Sequence, residues 1–172
     1  MQNFTRIDPT DISDNIFKLI GKDWMLITAA DRDGRVNTMT ASWATAGILW
    51  RKPVGICFVR PQRYTYRFTE EADRMSFCFF DESYRETLRY CGSHSGRDVD
   101  KFAATGLTPA FTEGEGATPY ISEARMVMIT RKLYADDLKE ECFIDPAYLA
   151  DYKAGDFHRV YVCEIEEVWL RR

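Results

Sequence analysis

The stretch from Trp24 to Trp43, WMLITAADRDGRVNTMTASW, contains the features that decide the fold. Its first seven residues are apolar or small and predict a buried strand over 24–30. The Asp-Gly pair that ends the segment 31–34 is a strong signal for a hairpin turn. An uncharged segment, 36–49, follows and predicts a strand at its start that becomes irregular around Ser42 and Gly47. An early hairpin without strand–helix alternation favours an antiparallel sheet.

The rest of the chain continues the same pattern. Further strands are predicted over 54–59, 75–80, 124–134 and 158–170. Short helices are predicted over 14–20, 64–72, 83–90, 98–104 and 146–153, with Ser13, Asp98 and Asp145 as N-caps and with Gly21 and Gly106 as stops. The segment 109–119 is rich in Gly, Thr and Glu and predicts a surface excursion. We therefore predict a mainly β fold, a six-stranded antiparallel barrel with short peripheral helices, in one domain spanning 1–172.

Composition excludes several classes of protein. The chain has 172 residues and a net charge of −4, which argues against a nucleic-acid partner. The N-terminal residues lack the pattern of a signal peptide, and no apolar run approaches the roughly 20 residues of a membrane span. The five cysteines form no CxxC pair, which predicts reduced, mostly buried thiols and no zinc site. We expect a cytoplasmic protein without a metal.

The first candidate site is an apolar stretch that carries small hydroxylated residues. Such residues let a planar ligand lie against the backbone while N–H and O–H groups meet its polar edge. The alternative is a threonine-rich strand whose alternate hydroxyls face solvent. The residues concerned are Asn37, Thr38, Met39, Thr40, Ala41, Ser42 and Trp43.

The second candidate lies where a strand ends, a proline turns the chain and a helix begins near Thr65. The N-terminus of a helix offers unpaired N–H groups and partial positive charge, which suit a phosphate, and a neighbouring arginine adds a bidentate donor. The alternative is an ordinary helix start with solvated arginines. The candidate ligands are Arg60, Arg63, Tyr64 and Thr65.

The third candidate is the segment 91–102, in which two glycines and two serines lead into a helix. Its glycines permit close approach of the backbone to an anion. The segment is not a Walker A loop, and the chain has no GxGxxG either, so a Rossmann site is disfavoured. The alternative is a plain loop before a capped helix. The candidate ligands are Ser93, Ser95, Gly96, Arg97 and Lys101.

The two histidines are His94 and His158. No GxSxG elbow supports a serine triad with either of them. His158 opens the last predicted strand, where a histidine can be structural or catalytic. We take His158 as the candidate catalytic residue.

These segments, in this order, resemble the flavin reductase-like family of FMN-binding split β-barrels, in particular its flavoredoxin-like branch. The resemblance covers about 21–170 and is carried by 37–43, by 60–65, by 92–102 and by the GDFH sequence of 155–158. Tyr64 stands where many relatives carry a histidine, and Cys163 stands where glycine is common.

The resemblance implies a homodimer with two FMN sites near the subunit interface. It implies that Asn37 and 40–43 line the isoalloxazine ring. It further implies that Arg63, Tyr64, Thr65, Arg97 and Lys101 hold the phosphate or the polar rim of the flavin. His158 is similar to the histidine that lies near flavin and nicotinamide in some relatives, and the excursion 109–119 is a candidate cover for the open face of the flavin.

Our preferred hypothesis is therefore an FMN-dependent oxidoreductase, an NAD(P)H:flavin reductase that passes hydride or electrons through FMN. One alternative is a flavoredoxin-like electron carrier whose tightly bound FMN is reduced by a partner protein. Two others are a flavin-binding module without turnover and a structural barrel without ligand. The sequence leaves three points open: the electron acceptor, the choice between NADH and NADPH, and whether FMN stays bound between turnovers.

Overall fold

The centre of the fold is one antiparallel sheet that contains two tight hairpins, β2–β3 and β4–β5. The computed structural model describes residue 1 and residues 3–172. The strands are β1 (Phe4–Ile7), β2 (Met25–Ala30), β3 (Val36–Ala41), β4 (Ala44–Leu49), β5 (Lys52–Val59), β6 (Arg74–Phe79), β7 (Pro109–Phe111), β8 (Pro119–Ile121), β9 (Met126–Asp137) and β10 (Arg159–Arg171). The predicted mainly β, antiparallel class is confirmed. The strand count differs from the predicted six, because the main sheet has eight strands and β7–β8 form a separate hairpin.

The strand order makes the sheet curl into an open barrel. Seven strands follow the order β3-β2-β6-β9-β10-β5-β4, so that β3 and β4 lie at opposite edges. Only Ser42 and Trp43 separate these two strands in the chain. Since each residue spans at most about 3.6 Å, the two edges must come within roughly 11 Å of each other. The barrel is therefore split between β3 and β4, at the point where the predicted 36–49 segment was expected to become irregular.

Strand β10 joins the two halves of the barrel. Its first half pairs with β5, its second half pairs with β1, and β9 runs along its other side. The register against β9 shifts between Val162 and Cys163 and again between Ile165 and Glu167. Bulges of this kind bend a strand and increase its twist, which a curled sheet requires.

The helices are short and lie at the ends and on the outside of the barrel. They are α1 (Ile16–Lys18), α2 (Thr65–Glu71), α3 (Arg85–Ser93) and α4 (Lys101–Thr105). A π-helical turn, Leu19–Asp23, continues α1, and 3₁₀ turns span Pro9–Asp11, Glu82–Tyr84, Glu140–Cys142 and Pro146–Tyr152.

Two of the predicted N-caps are corrected by two residues, and the predicted stop at Gly21 is wrong because the π-helical turn Leu19–Asp23 continues through it. Asn15, rather than Ser13, caps α1, and its side chain accepts from the N–H groups of Phe17 and Lys18. Asp100, rather than Asp98, caps α4, since its carboxylate accepts from two N–H groups of the first turn. The stop at Gly106 is confirmed, with a φ of 73° in the left-handed region. Asp145 caps the turn Pro146–Tyr152 as predicted, but that turn is 3₁₀ rather than α.

Two hydrophobic cores lie on either side of the sheet. Strand β6 shows how the sequence produces them: Met75 and Phe77 pack inside the barrel, while Cys78 packs into the layer beneath α3 and the β7–β8 hairpin. A strand that is buried on both faces needs a continuous apolar run, and 75–80 is such a run. Four of the cysteines are buried free thiols and Cys142 is an exposed one. Among the described residues, no helix is long and apolar enough to span a bilayer.

The interior of the barrel leaves no room for a side chain at Gly55 of β5. A Cβ atom built there would lie 2.7 Å from Cε2 of Phe77, whose ring is buried in the core. We expect Gly55→Ala to lower the free energy of unfolding by about 1–3 kcal/mol through overpacking. The measurement is urea denaturation followed by circular dichroism.

Gly47 of the neighbouring strand β4 provides the matched control. A Cβ atom there would meet no described atom within 4 Å, so Gly47→Ala should leave the denaturation midpoint nearly unchanged. Equal midpoints for the two variants would show that the barrel interior is looser than described.

Candidate functional site

A cavity of about 200 Å³ opens at the split between β3 and β4. The end of β3, the two-residue connection, the end of β5 and the residue before β10 all meet there. Its lining residues are Met39, Thr40, Ala41, Ser42, Trp43, Phe58, Arg60, Arg63 and His158. The connection that forces the barrel to curl therefore also forms one wall of the cavity.

A second cavity of about 120 Å³ lies next to the first and shares Arg63 with it. It is formed by the turn between β5 and α2 and by the loop that follows α3. Its lining residues are Gln62, Arg63, Tyr64, Thr65, Gly92, Ser93, His94, Ser95, Arg97 and Lys101. The second and third sequence candidates are thus brought together, although about 30 residues separate them in the chain.

Arg63 lies where the two cavities join. Its Nη1 donates to the carbonyl oxygen of Gly92 at 2.8 Å, while its Nη2 is buried and has no hydrogen-bond partner in the described part of the chain. Burial lowers the pKa of the guanidinium. A buried donor without an acceptor costs roughly 1–3 kcal/mol, and more when it is charged. Such a group is best satisfied by an anionic ligand.

Lys101 is buried and already has two partners. Its ammonium donates to the carbonyl oxygens of Thr38 and Cys91, each at 2.8 Å, and only 4% of the residue is exposed. Burial, with a smaller contribution from the charge of Arg63, lowers its pKa to about 8. Lys101 therefore braces β3 against α3, and at most one of its protons is left for a ligand.

Asn37 and Gly96 lie side by side in a neighbouring cavity of about 420 Å³, which Tyr64, Arg97 and Lys101 also line. The Asn37 amide donates to Oγ1 of Thr65 at 2.8 Å. A Cβ atom at position 96 would overlap Oδ1 of the Asn37 side chain, so only glycine fits there. These contacts hold β3, α2 and the loop after α3 in one arrangement.

Within the 37–43 stretch, two residues do not line the larger cavity: Asn37 lines only the neighbouring one, and Thr38 faces β2. Its hydroxyl donates to the carbonyl oxygen of Ile27 and contacts the Thr28 hydroxyl at 2.9 Å, so it faces strand β2. Thr38 is fully buried and lines none of these three cavities. Thr40 donates to the carbonyl oxygen of Leu88 at 2.5 Å and ties β3 to α3.

Arg97 and Tyr64 link the two loops of the smaller cavity. The Arg97 guanidinium donates to the carbonyl oxygen of Gln62 at 3.1 Å and lies 5.1 Å from the centre of the Tyr64 ring. The backbone N–H of Arg97 donates to Oγ of Ser95 at 3.2 Å. These contacts thus hold the positively charged guanidinium of Arg97 in a fixed position beside the cavity.

His158 is a titratable residue in the wall of the larger cavity. Only 6% of the residue is exposed, and its ring centre lies 5.2 Å from that of Trp43 and 6.3 Å from that of Phe58. Burial, together with the positive charge of Arg60, lowers the pKa of His158 to about 4. The imidazole is therefore neutral near pH 7.

The predicted cover from 109–119 lies elsewhere. The loop of the β7–β8 hairpin lines another cavity, of about 740 Å³, whose lining includes none of the predicted site residues. The arginines of that cavity, Arg6 and Arg74, are paired with Glu167 and Glu166. Because these arginines are already paired, this cavity offers an anionic ligand fewer free hydrogen-bond donors than the cavity beside Arg63 does.

The connection 138–158 between β9 and β10 supplies aromatic side chains next to His158 instead. Tyr152 contacts Nδ1 of His158, and Phe143 and Phe157 pack on Tyr152. We did not predict Phe58, Gln62 or Tyr152 as part of the site. Phe58 alternates with the core residues Cys57 and Val59, a signal that could have placed it on the outer face of β5.

Solved structures with this architecture include several flavoproteins. Flavoredoxin of Desulfovibrio vulgaris (Miyazaki F) is 26% identical with a TM-score of 0.67, covering 87% of this chain and 69% of that one. An FMN-binding protein from Thermus thermophilus with bound p-hydroxybenzaldehyde is 23% identical with a TM-score of 0.65, covering 87% and 71%. Nitrilotriacetate monooxygenase component B from Bacillus cereus is 17% identical with a TM-score of 0.67, covering 98% and 82%.

No curated protein sequence matches the chain. The model of the flavin reductase like domain, in contrast, matches residues 18–172, which is nearly the whole sequence. The chain therefore belongs to the family of flavin reductase-like domains.

Proposed function

We propose that this protein is an FMN-dependent oxidoreductase of the NAD(P)H:flavin reductase type, with one FMN-binding domain over 1–172. The observation that carries the proposal is the buried, unpartnered Nη2 of Arg63 at the junction of two cavities. One cavity is partly aromatic, with Trp43, Phe58 and His158 in its wall, and the other is small and cationic. Together they match a molecule that has a planar ring at one end and a phosphate at the other.

The residues present fit FMN. Arg63 and Arg97, with the hydroxyls of Ser93, Ser95 and Thr65, would hold the phosphate in the smaller cavity. The backbone of 40–43 would lie along the ring in the larger one. When bound, FMN supplies the hydride and electron chemistry, while the protein supplies position and electrostatics.

Trp43 and His158 form the wall on which a second ring, that of the nicotinamide, would dock. Trp43 is 49% exposed, and its ring is tilted 48° from the neutral imidazole. Stacking of planar groups on an exposed indole is favourable, and an uncharged histidine does not repel a positively charged oxidised nicotinamide. This arrangement supports NADH or NADPH as the electron donor.

A flavoredoxin-like electron carrier is the second candidate. It is favoured by the similarity to the Desulfovibrio flavoredoxin and by the aromatic connection 138–158, which narrows access to His158. In that case a partner protein, rather than a nicotinamide, would reduce the bound FMN.

We also propose a homodimer. The end of strand β4 and the turn after it carry three consecutive exposed apolar residues, with Ile48 68%, Leu49 37% and Trp50 57% accessible. Large apolar side chains grouped at one end of a hairpin are typical of a contact surface. The occupant that we propose is the same hairpin of a second copy, which a twofold interface would bring together.

Anaerobic stopped-flow mixing separates the two candidate functions. For the reductase, NADH or NADPH at millimolar concentration should bleach the visible absorption of the FMN-loaded protein within seconds. For the carrier, neither nucleotide should bleach it, while dithionite should do so reversibly. Failure of the protein to retain any FMN would contradict both.

Loss of the Arg63 charge should weaken FMN binding. A charge-assisted hydrogen bond contributes about 1.5–3 kcal/mol, so Arg63→Leu should raise the Kd about ten- to a hundredfold in a flavin fluorescence titration. Arg89→Leu is the matched control, because Arg89 is exposed and pairs only with Glu86 among the described carboxylates. Unchanged binding by Arg63→Leu would remove the main support for the proposal.

Light scattering on a size-exclusion column tests the dimer. The native protein should elute with twice the mass of one chain, and Ile48→Glu should shift it toward the monomer because a charge is placed in the proposed contact. Ile144→Glu is the control at another exposed isoleucine, 98% accessible, and should not change the mass. A native monomer at high micromolar concentration would contradict the dimer.

A further inference from the structure

Tyr152 forms a direct hydrogen bond with the histidine of the larger cavity. Its hydroxyl lies 2.7 Å from Nδ1 of His158, and both residues are buried, with 8% and 6% exposed. Tyr152 is the last residue of the 3₁₀ turn Pro146–Tyr152, and His158 is the residue immediately before β10. The contact therefore ties this turn to the start of β10.

The direction of this hydrogen bond follows from its surroundings. The Tyr152 hydroxyl has no other acceptor in the described part of the chain, so its proton points to Nδ1. A neutral imidazole that accepts at Nδ1 carries its own proton on Nε2. Nε2 has no hydrogen-bond partner among the described residues. It keeps some exposure to solvent, and the ring lines the larger cavity.

The tyrosine is itself held in place. Its ring stacks on Phe157 with centres 4.9 Å apart and an angle of 13°, and Phe143 packs at 5.6 Å. The Arg60 guanidinium lies 5.1 Å from the ring centre and forms an ion pair with Asp156. A hydroxyl fixed from three sides is a preorganised donor, because few rotamers remain to be frozen when a ligand binds.

We propose that Tyr152 is a positioning residue that holds His158 as the Nε2–H tautomer, so that the cavity presents an uncharged hydrogen-bond donor to a carbonyl or amide oxygen of the bound substrate. The inference deepens the proposed function, because it assigns what the cavity recognises in the substrate. It also assigns His158 the role of donor, since the Nδ1 lone pair is occupied and the imidazolium is not formed near neutral pH.

The charges around the ring are consistent with a neutral donor. The charged and titratable groups that face His158 are Arg60, Arg63, Asp151, Tyr152 and Asp156. The carboxylate of Asp156 is paired with Arg60, so it does little to favour an imidazolium. Burial and the Arg60 charge both lower the pKa of His158, to about 4.

Nitrogen-15 NMR of the imidazole rings tests the tautomer directly. The chain has only two histidines, and His94→Gln assigns their signals. At pH 7 the His158 signals should show a protonated Nε2 and an accepting Nδ1, and the ring should protonate only as the pH falls toward about 4. Tyr152→Phe should produce a mixture of tautomers. Tyr148→Phe, which changes an exposed tyrosine of the same turn, should not.

Two results would overturn the inference: a native His158 with its proton on Nδ1, or a tautomer that Tyr152→Phe leaves unchanged. Neither measurement depends on turnover, so the inference can fail while the proposed function stands, and the reverse also holds. Where NAD(P)H oxidation is measurable, Tyr152→Phe should lower kcat/KM about tenfold with the Kd for FMN unchanged. An equal loss of FMN binding would indicate a merely structural tyrosine.

Discussion

The constraint on which this structure depends is the two-residue connection between β3 and β4. These strands lie at opposite edges of a seven-strand path, and yet Ser42 and Trp43 alone join them. A flat sheet cannot satisfy that length, so the sheet must curl until its edges meet. The edges do not pair with each other in the described part of the chain, and the larger cavity lies beside the connection between them, against the end of β5. Architecture and site therefore have one cause, because the short connection both bends the sheet and lines the opening.

Two buried cations show how the remaining elements are fixed around that opening. Lys101 connects β3 to the end of α3 through two carbonyl oxygens, and Arg63 connects the β5–α2 turn to Gly92. Burying either charge costs free energy, which only its hydrogen bonds offset. The same burial lowers the pKa of both side chains. The difference between them is informative. The ammonium of Lys101 has two acceptors, whereas the guanidinium of Arg63 retains a buried donor that nothing satisfies. The first is a structural brace, and the second is the group that we propose to bind the ligand.

Much of this could be predicted from local signals. The Asp-Gly turn, the apolar runs of β2 and β6 and the caps at Asp145 and Gly106 are encoded by neighbouring residues, and each was predicted close to its place. Apart from the helix ends and the 3₁₀ turn Pro146–Tyr152, the predictions that needed correction depend on contacts between distant segments. The separation of β3 from β4 follows from the curl of the whole sheet, and the pairing of β1 with the end of β10 joins the two ends of the chain. The same applies to the site: the segments 37–43, 60–65 and 92–102 were recognisable, but only the fold reveals that Thr38 points to β2 and that Tyr152 contacts His158.

The connection 138–158 places a cluster of aromatic side chains beside His158. Its turn Pro146–Tyr152 carries no regular α-helix, and its side chains Phe143, Tyr152 and Phe157 pack mainly on one another. Such a cluster excludes water from one side of His158, and the loss of water is what keeps the imidazole uncharged. The cavity thus has a cationic group, Arg63, and a neutral imidazole, His158, in its wall. Under the proposed function, this difference would orient a ligand that has charge at one end and an uncharged polar ring at the other.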